Sequence, residues 1–193
     1  MGGLEIISQA VGLVAMVIMV FSFQFRENKR VLFWQAVSGA VFVVHFALQG
    51  AWGGVAMNVI GTVRSVVLIQ PRRQRSYKVL FALWSAFLLC GLGVYFSGME
   101  GGRLFLPVAA QMSGTYGMWS GTPAVLRIAM ICGCSPLWIT YNFLCHSLGG
   151  VLCETFNITS IIVYFTRMAL ARRREKKAAE TPAAVKREGE NVK

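Results

Sequence analysis

The stretch from Ala40 to Ser65, AVFVVHFALQGAWGGVAMNVIGTVRS, joins two apolar runs through Gln49-Gly50-Ala51, a break too short to hold a domain. Ninety-six residues on, the pattern returns as PLWITYNFLCHSLGGVLCETFNITS, Pro136 to Ser160. Gly53-Gly54-Val55 falls on Gly149-Gly150-Val151, Leu48 on Leu144, Phe42 on Trp138, His45 on Tyr141 and Asn58 on Glu154. A repeat of this length inside an apolar chain points to a duplicated membrane bundle.

Composition narrows the class. Charged residues make up 14% of the chain, against about 25% in soluble domains, and there is no Asp. Hydrophobic residues make up 55%, with a mean hydropathy of +0.57. An ordinary globular enzyme is excluded. The net charge of +11 does not mark a nucleic-acid partner, because its cations lie between apolar spans and in the last stretch of chain. That placement fits membrane topology and contact with anionic lipid at the cytoplasmic face. The five cysteines lie in or at the ends of apolar runs, and Cys132-Gly-Cys134 lacks a second ligand pair at zinc spacing, so neither metal nor cofactor is expected. Residues 4–25 are too long and too uncharged at the front for a cleaved signal peptide and read as a retained first span.

Seven spans follow in order: Leu4–Phe25, Val31–Gln49, Ala51–Gln70, Val79–Ser97, Leu104–Ser120, Pro123–His146 and Gly149–Met168. Each is near the roughly 20 residues that a 30 Å hydrocarbon layer asks of a helix. Pro71 with Arg72, Arg73 and Arg75 closes the third span, and Thr122-Pro123 opens the sixth. Pro136 is a bending point that the first copy lacks. An odd number of spans puts the ends on opposite sides. Of the 19 Lys and Arg, 17 lie in the loops after spans one and three, at Arg127 in the opening turns of span six, or from Arg167 onward. That side is cytoplasmic, so the N-terminus is outside and the C-terminus inside. The expected fold is therefore all-α and polytopic. Two parallel three-helix bundles, residues 4–70 and 104–168, are joined by a linker helix at 79–97, and a basic, disordered cytoplasmic tail occupies 169–193.

This three-plus-one-plus-three layout resembles the SWEET sugar transporters and the PnuC vitamin transporters. Gly12 and Ser22-Phe23 stand where single-repeat SemiSWEETs carry Gly and Ser-Phe, Trp138-x-x-Tyr141 is similar to their Trp-x-x-Tyr, and Phe42 and Asn58 stand at the spacing of their sugar-stacking Trp and sugar-binding Asn. Gln24-Phe25 replaces the Pro-Gln of that family. The nearer whole-chain resemblance is to the bacterial inner-membrane family YgjV. It rests on Ser22-Phe23-Gln24, the basic loop after it, His45-Phe46-Ala47-Leu48-Gln49-Gly50, Asn58 and Arg64, and is best over residues 5–70. That resemblance implies a multi-pass protein of the bacterial inner membrane.

Counted from the outer ends of their spans at about 1.5 Å per residue, Phe42, Asn58, Trp138 and Glu154 share one layer about 8 to 14 Å deep. Two repeats about a pseudo-two-fold axis bring the four together as a substrate site, with aromatic walls for apolar faces and an amide and a carboxyl for polar groups. Packing is the plainer account of Phe42 and Trp138, and interhelical hydrogen bonding that of Asn58. A carboxyl at the depth of Glu154 must be protonated, paired or wetted. Accessory positions are His45, near the outer rim and readable as interfacial, Tyr141, and Arg64, placed to snorkel to the cytoplasmic surface. The Asn157-Ile-Thr159 sequon lies within lipid, out of reach of glycosylation. The reading is a small-solute transporter or facilitator for a sugar- or vitamin-like molecule; the alternative is a non-transporting scaffold, accessory or sensor of the same fold. No Ser-His-Asp order, HExxH or paired carboxylates mark an enzyme.

Overall fold

The computed structural model describes residues 2–22, 25, 27–70, 73 and 76–190, backbone alone at 28 and at 176–190. Phe23 and Gln24 of the Ser-Phe-Gln stretch, and Pro71 with Arg72 and Arg75 after the third span, lie outside them. Among the described residues there are seven helices: α1 (Gly3–Ser22), α2 (Asn28–Leu48), α3 (Trp52–Leu68), α4 (Tyr77–Phe96), α5 (Phe105–Trp119), α6 (Pro123–Leu144) and α7 (Leu148–Glu190). Five are long and apolar enough to cross a bilayer, whereas α3 has 17 residues and α5 has 15. Both are shortened by their turns. Gly50 at φ +67° reverses the chain just before α3, and Gly121 at φ +61° does so just after α5, a backbone region that favours glycine. A single turn of 3₁₀ helix, Gly102–Leu104, leads into α5.

The chain divides into two compact units, Met1–Ile158 and Thr159–Lys193. The first holds α1 to α6 and the start of α7, and its neighbours in sequence pack as neighbours in space from α1 through α6, with α3 also meeting α5. The second is the continuation of α7, helical through Glu190 and so extending along most of the basic tail. Its Thr166 hydroxyl donates to the Ile162 carbonyl at 2.9 Å, the usual back-bond of a helical threonine.

In α1 the side chains are arranged opposite to those of a water-soluble helix. The buried face is Ser8, Gly12, Ala15 and Ser22, while Leu4, Ile6, Ile7, Val14, Val17 and Phe21 point outward. Water would punish that arrangement, whereas lipid tails are as apolar as leucine and leave close packing and hydrogen bonding to hold helices together. Gly12 shows how close the packing is. A Cβ there would stand 2.7 Å from the His45 ring, and a Cβ on Gly149 would collide with the Gly12 backbone. The core of the first unit is built from Phe42, Phe46, Met57, Phe87, Trp138 and Tyr141.

α6 is irregular at Pro136. The turn Met130–Cys134 winds as π helix between two α-helical segments, Pro123–Ala129 and Ser135–Leu144. Proline has no N–H and its ring crowds the carbonyl four residues back, here Cys132, so the turn widens.

Candidate functional site

The first unit contains a cavity of about 100 Å³. Phe42 from α2, Asn58 from α3, Trp138 from α6 and Glu154 from α7 all line it. Phe46, one helical turn after Phe42, stacks at 6.0 Å on Phe42 and at 6.0 Å on Trp138, making one continuous wall. Asn58 donates to the Gly54 carbonyl of its own helix at 2.9 Å, and Asn157 donates to Glu154 Oε2 at 3.3 Å.

Arg64 also lines the cavity, contrary to the expectation that it snorkels. It is 8% exposed, and its Nη1 donates to Gln111 Oε1 at 2.5 Å and to Thr115 Oγ1 at 3.3 Å. Gln111 is itself held by donating to the Met57 carbonyl at 3.2 Å. A guanidinium on an inward helix face finds these amide and hydroxyl acceptors nearer than any headgroup. Its charge has no carboxylate partner: the ion pairs among the described residues are Arg30–Glu27 and Arg103–Glu100.

His45 and Tyr141 do not line the cavity but form a clamp at the end of the bundle marked by Gln49. His45 is fully buried rather than interfacial. Its Nδ1 lies 2.7 Å from the Ser8 carbonyl, which requires Nδ1–H as donor, and Nε2 then accepts from Ser147 at 2.6 Å. One ring thus ties α1 and α2 to the start of α7. Tyr141 does the equivalent in the other direction: its hydroxyl accepts from Gly54 N–H at 2.7 Å and donates to Glu100 at 3.2 Å. Glu100 in turn accepts from Gly53 N–H at 2.5 Å and from Arg103 at 2.8 Å. A carboxylate is well placed there, because the first turn of α3 presents unpaired N–H groups and the positive end of the helix dipole. At Arg103 burial works to lower the pKa, but the Glu100 hydrogen bond and nearby charges outweigh it and hold the guanidinium above its ordinary value.

The two copies correspond in detail at this end. A Cβ on Gly54 would meet the Phe46 ring, and a Cβ on Gly150 would meet the Asn142 side chain, the same pair of positions ninety-six residues on. Sequence reasoning gave no site role to Phe46, Glu100, Asn142 or Asn157, although Phe46 stood in the His45–Gly50 stretch and Asn157 in the sequon. Phe46 was legible as the helical neighbour of Phe42. Asn142 and Asn157 carried the signal of any polar residue inside an apolar span, whereas Glu100 sits among glycines between spans, with no local mark of its burial.

Apolar side chains facing outward around an interior that holds buried polar groups define a multi-pass membrane protein. The chain belongs to the Imp-YgjV family of bacterial inner membrane proteins, whose pattern it matches over residues 6–172. It is similar to inner membrane protein YgjV of Escherichia coli (strain K12), with 25% identity over 186 residues, 95% of this chain and 97% of that protein. No solved structure matches it.

Proposed function

We propose that this inner-membrane protein is a small-solute carrier or facilitator working by alternating access, with Phe42, Asn58, Trp138 and Glu154 as its solute contacts. In this reading, residues 4–70 and 104–168 are parallel triplets joined by α4, the N-terminus is outside, and the basic loops meet anionic lipid at the cytoplasmic face. No reaction is assigned to it. The observation that carries the reading is the convergence of Phe42 and Trp138, and of Asn58 and Glu154, equivalent positions of the two copies, on one cavity. The clamp of His45 and Tyr141 supports it: each links one copy to the helix start of the other, as a gate at the outer end requires.

The test joins binding to transport. Purified protein is screened by thermal shift against sugars, nucleosides, vitamins, amines and amino acids, and each stabilising solute is assayed for uptake into proteoliposomes. A carrier gives at least one solute that both stabilises and accumulates, and Glu154→Gln weakens that response while preserving the fold. A scaffold behaves otherwise: no solute accumulates, and Glu154→Gln lowers stability without changing any ligand response.

A further inference from the structure

Three residues that line the cavity each carry an unpartnered buried polar atom. Arg64 Nε, Asn142 Oδ1 and Gln35 Oε1 are each buried without a hydrogen-bond partner, and the three side chains line the same space. Arg64 and Asn142 are 8% and 3% exposed. Buried polar groups are almost always satisfied, so free groups converging on one void mark where something else supplies their partners. Among these three residues the unpaired atoms are one donor, on a guanidinium, and two acceptors.

Charge sharpens the ligand chemistry. Arg64 carries a permanent positive charge against neutral partners only, and Glu154 lines the same cavity without forming an ion pair to it. A buried guanidinium without a carboxylate partner is costly until an anionic group arrives beside it. Size completes the case. An apolar cavity of about 150 Å³ in another protein accommodates benzene, so a cavity of about 100 Å³ suits a solute of about four to six non-hydrogen atoms. A hexose, with about twice that number, exceeds it.

We infer that the solute is a small zwitterion carrying one carboxylate and one ammonium group, of the size of glycine or alanine. This rests on the reading of the cavity as a solute site. The carboxylate takes the Arg64 guanidinium, whose fork geometry matches it. The ammonium lies toward Glu154 and the free carbonyl oxygen of Asn142, with the Trp138 and Phe46 wall on its apolar side. Asn157 already donates to Glu154, so that carboxyl is set as an acceptor.

The experiment uses the full purified chain in detergent, with glycine and L-alanine as probes. Sodium acetate and methylammonium chloride supply the two halves separately, and D-glucose is the neutral control. Saturable stabilisation by glycine or L-alanine, with none from the two halves mixed at the same concentration, is the expected result. In Arg64→Lys and Glu154→Gln the affinity for glycine falls about tenfold or more, the loss expected for a charged hydrogen bond. The ligand series on wild-type protein stands alone if either variant fails to fold. Stabilisation by acetate equal to that by glycine overturns the inference, as does a response to glucose alone or to none of the probes. Uptake of radiolabelled glycine and glucose into proteoliposomes separates the two claims. Glucose uptake without glycine binding leaves the carrier reading intact and removes the zwitterion. Glycine binding without uptake of either removes the carrier and keeps the zwitterion site.

Discussion

The clamp at the Gln49 end can be taken apart by Tyr141→Phe, Glu100→Gln and their combination. Tyr141 is fully buried, and losing its hydroxyl strands the Gly54 N–H where no water replaces it. A stranded buried donor costs roughly 1–3 kcal/mol. Glu100→Gln removes a charge that receives Gly53 N–H and Tyr141 and sits at a helix start, for about 3 kcal/mol in all. The Arg103 pair adds little, since the Arg103 side chain is 43% exposed and such pairs contribute under about 1 kcal/mol. Because the Tyr141 hydroxyl and Glu100 share one hydrogen bond at 3.2 Å, the double variant loses less than the sum of the singles. The expected coupling is about 1–2 kcal/mol, within the usual range for contacting residues. Equilibrium unfolding in dodecyl maltoside with increasing dodecyl sulfate, followed by tryptophan fluorescence, measures all four corners of the cycle. Additivity to within about 0.5 kcal/mol, or a neutral Tyr141→Phe, would refute the clamp as a coupled network.

Phe46→Ala removes the ring that bridges Phe42 and Trp138, which is 1% exposed, and is expected to destabilise the protein by roughly 3–5 kcal/mol in the same unfolding assay. Gly12→Val forces side-chain atoms into the His45 ring and the crossing with Gly149, and a loss of about 1–3 kcal/mol or outright misfolding is expected. Gly93→Ala, with open space around it, serves as its neutral control in a thermal melt. Truncation after Arg174 leaves insertion and orientation unchanged, because the basic loops and Arg172-Arg173-Arg174 remain; a C-terminal sidedness reporter checks it.

The helices themselves were legible because spanning is a local property. Twenty apolar residues followed by charges make a membrane helix in almost any context, so the bounds of α1 to α6 lie close to those read from the chain, whereas α7 starts where expected and runs on past Met168 to Glu190. The repeat added a long-range relation that single spans lack, pairing Phe42 with Trp138 and Asn58 with Glu154 from the sequence alone. The widened turn before Pro136 was likewise marked by one residue type.

Tertiary structure alone decided which way each polar side chain turns. In lipid both faces of a helix are apolar, so periodicity does not tell the buried face of α3 from the lipid face, and Arg64 reads equally well as snorkelling out or reaching in. The acceptors that hold it inward, Gln111 and Thr115, come from α5, about fifty residues away in the chain. His45 depends in the same way on Ser8 and Ser147, and Glu100 on the exposed N–H groups of α3. Hydrophobicity and length are summed along the chain, whereas a buried hydrogen bond exists only once two distant segments have met, and the cavity is made of such meetings.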